Sequence, residues 1–240
     1  GHRAGIGQPK GGGTQAAGMW PHSCDGMVMR YNKVVGIDAK RDGQAFDVDI
    51  SCRNTLIEYN WSQKNKSGFL LVCSPVRVGR TSGITVRNNV SIDDGEYDGL
   101  FKLVPNVKDV TIENNVFMNS SQKDRGLAFS WFPPRRKFWD LNIHFENNIF
   151  STPGKFVWKA EKRVKPTFKN NTYSGELQGG ATFDKTNVRV KYPAAKIENG
   201  KVVPTSKESS FKPFDISKAG LLPTSSWIEQ RDESLKKSLK

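Results

Sequence analysis

Apolar and polar residues alternate along most of this chain in short runs, and run after run closes on the same polar phrase. Met27-Val28-Met29-Arg30-Tyr31, Gly83-Ile84-Thr85-Val86-Arg87 and Asp109-Val110-Thr111-Ile112-Glu113 alternate with period two and favour Val, Ile and Thr. That pattern predicts half-buried strands. The closing phrase is an apolar residue, a variable one, then Tyr-Asn or Asn-Asn. It recurs as Met29-Arg30-Tyr31-Asn32, Ile57-Glu58-Tyr59-Asn60, Val86-Arg87-Asn88-Asn89, Ile112-Glu113-Asn114-Asn115, Phe145-Glu146-Asn147-Asn148 and Phe168-Lys169-Asn170-Asn171. The final Asn residues are 28, 29, 26, 33 and 23 positions apart. Asn suits the turn after each strand, because its side chain bonds local backbone and it tolerates left-handed dihedrals.

A second kind of strand opens on Gly in each unit: Gly43-Gln44-Ala45-Phe46, Gly68-Phe69-Leu70-Leu71-Val72, Gly99-Leu100-Phe101-Lys102-Leu103 and Gly126-Leu127-Ala128-Phe129. No segment before residue 174 carries the length and 3.6-residue period of a helix. Short strands repeating at this interval predict an all-β fold, a right-handed parallel β-helix in which each coil buries its face on the next. Ser23-Cys24 through Tyr31-Asn32 aligns without a gap on Ser51-Cys52 through Tyr59-Asn60. Equivalent residues should then stack about 4.8 Å apart, Tyr31 over Tyr59 and Asn32 over Asn60. These Asn residues are assigned structure and no chemistry.

The coils are expected over residues 1–173, with regular ones from about Met19 to Tyr173. A Gly-rich stretch precedes them, and an excursion at Ser130–Trp139 lengthens one coil. From about Ser174 the phase fades. Residues 174–240 read as an irregular extension packed on the solenoid, ending in a short helix over Trp227–Leu239 that Ser225-Ser226 would cap. The chain opens at Gly1-His2 without Met and in mid-pattern, so N-terminal coils are expected to be missing.

Charge changes the picture modestly. The net charge is +13, and residues 155–240, with 18 Lys/Arg against 9 Asp/Glu, hold most of the excess. A basic surface attracts anionic partners or simply solvates the fold. No apolar run is long enough to span a membrane. Cys24 and Cys52 fall at equivalent positions of adjacent coils, within reach of a disulfide or of stacked buried thiols. With Cys73, they make no zinc or redox pattern.

Candidate chemistry centres on Asp42-Gly43-Gln44-Ala45-Phe46-Asp47-Val48-Asp49. Alternation puts Asp47 and Asp49 on one face, opposite Phe46 and Val48. Paired carboxylates repel, which raises one pKa and suits an acid/base pair or a cation site such as calcium. The register sets Val72 and Ser74, then Leu103 and Pro105, beside them, with Lys102 level with Phe46. A second acidic group, with Asp93 and Asp94, is expected about 9–10 Å away along the axis, a separation that would let carboxylates flank a glycosidic bond. Trp20 and His22 lie before the first matched coil. Trp131 and Arg135 lie in the excursion. With Lys102, these four supply stacking faces and polar contacts for a sugar.

Three stretches resemble a known group: the run from Asp42 to Asn60 followed by Gly68–Cys73, Gly18-Met-Trp-Pro-His-Ser-Cys24, and Phe211-Lys-Pro-Phe-Asp-Ile-Ser-Lys-Ala-Gly220. They are similar to right-handed parallel β-helix repeat proteins of bacterial polysaccharide utilisation, in the pectate-lyase-like superfamily. The resemblance covers residues 18–173 well and the C-terminus loosely. It implies an exported carbohydrate-active enzyme, secreted, periplasmic or on the cell surface, monomeric, acting on a polysaccharide that could be anionic and not on nucleic acid. A glycoside hydrolase needs only the carboxylates and is expected first. A polysaccharide lyase, with Lys102 or Lys40-Arg41 near a cation-held uronate, is the alternative, and a non-catalytic glycan-binding solenoid the third.

Overall fold

A computed structural model describes residues 16–39, 42–74, 79–97, 99–104, 107–130, 142–159, 166–179 and 185–220. It is an all-β parallel solenoid with three sheets running along its length. The first sheet takes the alternating strands: Val28–Arg30, Arg53–Glu58, Thr81–Arg87, Val107–Glu113, Ile143–Glu146 and Thr167–Lys169. The second takes the short strands after each Asn, from Lys33–Val35 to Val188–Arg189, and the third takes the Gly-opened strands from Gln44–Val48 to Glu176–Gly179. No helix occurs among the described residues. The helix expected at Trp227–Leu239 and the Trp131–Trp139 part of the excursion lie outside them.

The repeat phrase divides its labour between its last two residues. The penultimate residue turns the chain: Tyr31, Tyr59, Asn88, Asn114, Asn147 and Asn170 have φ between 52° and 58°. The left-handed residue is therefore the one before the final Asn, not the final Asn itself. The final Asn side chain, buried in every repeat but the first, bonds to the next coil. Asn32, Asn60, Asn89, Asn115, Asn148 and Asn171 each donate from Nδ2 to the following Asn Oδ1 at 2.9–3.0 Å. Among the described residues the ladder reaches Asn187, and the strands at Glu176–Gly179 and Val188–Arg189 continue their sheets. The coils thus extend past Ser174, where the apolar phrase that would have marked them is missing. Tyr31 lies over Tyr59 with ring centroids 5.6 Å apart and the ring planes tilted by 33°.

Inward residues form matching columns. Met29, Ile57, Val86, Ile112, Phe145 and Phe168 are in register on the first sheet, and all are buried. Phe145 and Phe168 stack at 4.7 Å, while Phe101 meets Phe117 and Phe145 edge-on at 5.0 and 5.2 Å. Each such ring removed from water stabilises by about 1.5–3 kcal/mol. Cys24 and Cys52 are free thiols in this core wall, donating to the His22 and Pro21 carbonyls at 3.3 Å, so of the two alternatives the unbridged one is found.

The extension forms a small antiparallel sheet of Ala195–Glu198, Lys201–Pro204 and Phe214–Asp215. Ala194, Val202, Phe211, Phe214 and Ile216 cover Val90, Val116 and Ile149, which face outward from the second sheet.

A carboxylate cavity at the first strand of the third sheet

Gln44–Val48 is the end strand of the third sheet. Its free edge is taken by the preceding segment: Gly18 and Met19 donate to the Gln44 and Ala45 carbonyls at 3.0 and 3.1 Å, and Asp47 N–H returns to Met19 O at 2.9 Å. The approach is close enough that a side chain at Gly18 would collide with Val34 and the Ala45 carbonyl. Gln44, Phe46 and Val48 are fully buried, Phe46 and Val48 in the core. Asp47 is directed the other way, beneath the segment that carries Trp20.

The result is a cavity of about 290 Å³ lined by Ala16, Ala17, Trp20, Asp42, Asp47 and Asp49. Asp47 lines it, 5% exposed, with Oδ1 buried and bonded to no described residue. Burial, then the negative charges of Asp49 and Asp42, raise its carboxyl from 3.8 to about 8, with Lys102 partly opposing. Asp47 therefore carries a proton at neutral pH. Asp49 accepts the Ile50 N–H at 2.8 Å through one oxygen, and Asp42 faces Lys102 Nζ at 3.8 Å. Cys73 reports the same negative field, its thiol pushed up to about 12 by burial and by Asp49, Asp47 and Asp42. Trp20, 61% exposed, offers an indole face at the rim.

The register corrects one expectation. Asp47 pairs with Leu71 and Leu71 with Lys102, so Lys102 is level with Asp47, one residue away from the Phe46 position expected for it. This places Lys102 on the carboxylate side of the sheet. Asp42 opens the expected acidic run but was not singled out with Asp47 and Asp49 as a site residue. It enters because the Asp42-Gly43 turn, with Asp42 at φ 52°, folds back beside the strand. A period-two reading starting at Asp47 cannot reach it.

Asp93 and Asp94 do not converge on this cavity, because they follow a second-sheet strand and sit at the next corner. Asp94 is buried and accepts from Ser62 Oγ, from Ser91 Oγ at 2.6 Å, and from Asn65 N and Nδ2 at 2.8 and 3.0 Å. It holds the turn, and burial raises its carboxyl to about 7. Asp93 binds Ser120 N and Oγ at 2.7 and 2.9 Å beside a separate cavity with Lys64 and Glu96. His22 is exposed, bonded to Ser23 Oγ at 2.9 Å, and does not line the carboxylate cavity. Trp131 and Arg135 lie outside the described residues. Among the described residues, no group of three His, Cys, Asp or Glu side chains is placed to hold a metal ion, so Asp42, Asp47 and Asp49 surround the cavity without forming a calcium-type cage. No described helix is long and apolar enough to cross a membrane.

Comparison with known proteins gives one informative similarity. The chain is 32% identical over 223 residues to a lacto-N-biosidase of Bifidobacterium longum subsp. longum, which covers 89% of this chain. The chain spans only 12% of that relative's length. The similarity is to a glycoside hydrolase and lends nothing to the lyase alternative. No protein-family model matches the chain, and no solved structure matches it, so membership of the pectate-lyase-like superfamily is not shown.

Proposed function

We propose that this chain carries the reaction centre of a glycoside hydrolase, in the cavity bounded by Asp42, Asp47, Asp49 and Trp20. The observation that carries the reading is three carboxylates around one opening, of which the most buried, Asp47, is raised to about 8 by burial and by its two neighbours. Hydrolysis of a glycosidic bond asks for that division of labour. The proton on Asp47 passes to the departing glycosidic oxygen as the bond to the anomeric carbon breaks. The carboxylates of Asp42 and Asp49 face the positive charge that develops on the sugar ring, and water adds at the anomeric carbon, giving up a proton that restores the one Asp47 lost. Trp20 stacks on a sugar ring at the entrance. Lys102, 3.8 Å from Asp42, partly offsets the negative charge around Asp47 and so moderates how tightly its proton is held. A relative named for cleaving a biose supports a glycan as the substrate class.

The test uses a chromogenic lacto-N-bioside, after the sugar unit in the relative's name. The purified chain is expected to release the chromophore without forming a product that absorbs as an unsaturated uronate. Asp42→Asn, Asp47→Asn and Asp49→Asn are each expected to lower kcat by about 100-fold or more while keeping the β-type circular dichroism of the wild type. Retention of wild-type turnover by Asp47→Asn and Asp49→Asn would remove the centre from this cavity. Binding of the glycan with no cleavage would make the solenoid a recognition module.

A further inference from the structure

Among the described residues the second sheet ends at Val188–Arg189, whose outer edge no described strand covers. Val188 and Val190 donate inward to the Asn171 and Tyr173 carbonyls at 2.8 and 2.9 Å. In a parallel ladder the intervening amides point the other way, so the N–H groups of Arg189 and Lys191 face outward, and among the described residues nothing accepts them. Beside this edge the chain folds back through Thr205–Glu208 and borders a shallow, open depression of about 590 Å³. Arg189, Lys191 and Lys207 line it against a single acid, Glu208, and among the described residues no ion pair occupies these three cations. Tyr192 exposes its ring there. Ser206 Oγ accepts the Glu208 N–H at 3.2 Å, which leaves its own proton to donate.

Backbone donors and three cations around a concavity make a place for an anion: Arg189 feels the charge of Glu176, but none of the three is held in a close ion pair by a described residue. The adjoining aromatic face and hydroxyls suit a sugar ring. A volume of several hundred Å³ accommodates about two rings and is concave, unlike the long basic stripe that tracks a nucleic-acid backbone. The position is also distinct from the carboxylate cavity. Gln44–Val48 and Val188–Arg189 stand at opposite ends of their sheets, five or six strand steps apart, or about 25 Å.

We propose that this depression is an accessory site for an acidic glycan, seating a sulfate or carboxylate substituent among Arg189, Lys191 and Lys207 with a sugar ring on Tyr192. It is argued independently of the hydrolase reading and is tested by binding alone. The probes are 6-sulfo-N-acetyllactosamine and sialyllactose, with N-acetyllactosamine, sodium sulfate and an oligothymidylate for comparison, titrated against the full chain by calorimetry. At least one acidic sugar is expected to bind more tightly than the neutral sugar and than free sulfate. Lys191→Ala/Lys207→Ala should weaken it at least tenfold and Tyr192→Ala several-fold, whereas Lys108→Ala/Lys169→Ala, which removes the same charge from the first sheet, should change it less than twofold. Equal losses in the two double variants would show that only net charge matters and overturn the site. So would failure of both acidic sugars to bind, or oligothymidylate binding as tightly with the same dependence on Lys191 and Lys207. Glycoside cleavage should be unchanged in Lys191→Ala/Lys207→Ala, which keeps this result separate from the fate of the carboxylate centre.

Discussion

Asp47 ties stability and chemistry to one proton. Its carboxyl is raised from 3.8 to about 8 in the folded chain, so between those values the folded state holds a proton that the unfolded state has released. Stability from this group is therefore full below about pH 4 and declines as pH rises towards 8, the reverse of a salt-bridged aspartate. The whole shift corresponds to a penalty on the order of 5 kcal/mol once the group is ionised. Asp47→Asn keeps the shape and cannot ionise. It is expected to be more stable than wild type at pH 9 by several kcal/mol, with the gap shrinking towards pH 5, in urea titrations at the two pH values. Asp94, raised to about 7, bends both curves alike and drops out of the difference. A gap that does not change with pH would mean that Asp47 is ionised throughout. The same substitution is expected to abolish cleavage, so the position would be destabilising at high pH and needed for activity, as strained functional positions are.

The ladder of Asn side chains works at the scale of the strand and its turn. Asn89 accepts the Asn60 N–H and Nδ2 at 2.9 Å and donates to the Ile57 and Arg87 carbonyls and to Asn115 Oδ1, also at 2.9 Å. Asn89→Ala leaves these buried groups without partners in the middle of the stack, at a cost of about 3–5 kcal/mol. Asn32→Ala, at the end of the stack and half-buried, is expected to cost about 1 kcal/mol, and the two midpoints in urea should differ accordingly. Equal costs would show that the ladder does not cooperate along the axis. The stacking was legible in the sequence because a solenoid repeats one environment and therefore one residue type. Asn187 was not, because its coil keeps the side-chain bond and loses the apolar phrase before it. Asp47 and Asp49 were legible as departures from the repeat. Asp42 was not, since its place depends on a turn whose direction no alternation encodes. Asp93 and Asp94 misled for a related reason: acidic spacing along the chain says nothing about which sheet the preceding strand joins.

For the whole molecule the decisive contact is the return of the C-terminal extension along the outside of the second sheet. Ala194 N–H bonds Ser151 Oγ at 2.9 Å, Thr172 bonds Ser209 at 2.6 Å, and Lys212 exchanges two bonds with Asn114 at 2.7 and 2.8 Å. Further on, Phe214 meets the Tyr59 ring at 6.0 Å, and Gly220 N–H reaches Tyr31 O at 2.9 Å. The extension thus touches coils from nearly the last to the first, and it buries outward-facing Val90, Val116 and Ile149 that a bare second sheet would leave in water. A repeat fold otherwise couples only neighbouring units, and distant coils can open separately. A segment bonded to many coils links them, so loosening it should be felt along the full length. Phe214→Ala removes a ring at the middle of that seam and is expected to cost about 3–5 kcal/mol. Hydrogen exchange should then speed up by a similar factor in the extension and in first-sheet strands at both ends, with one urea transition retained. Faster exchange confined to residues 195–220, with the coils unchanged, would make the extension a separate unit resting on a solenoid that stands without it.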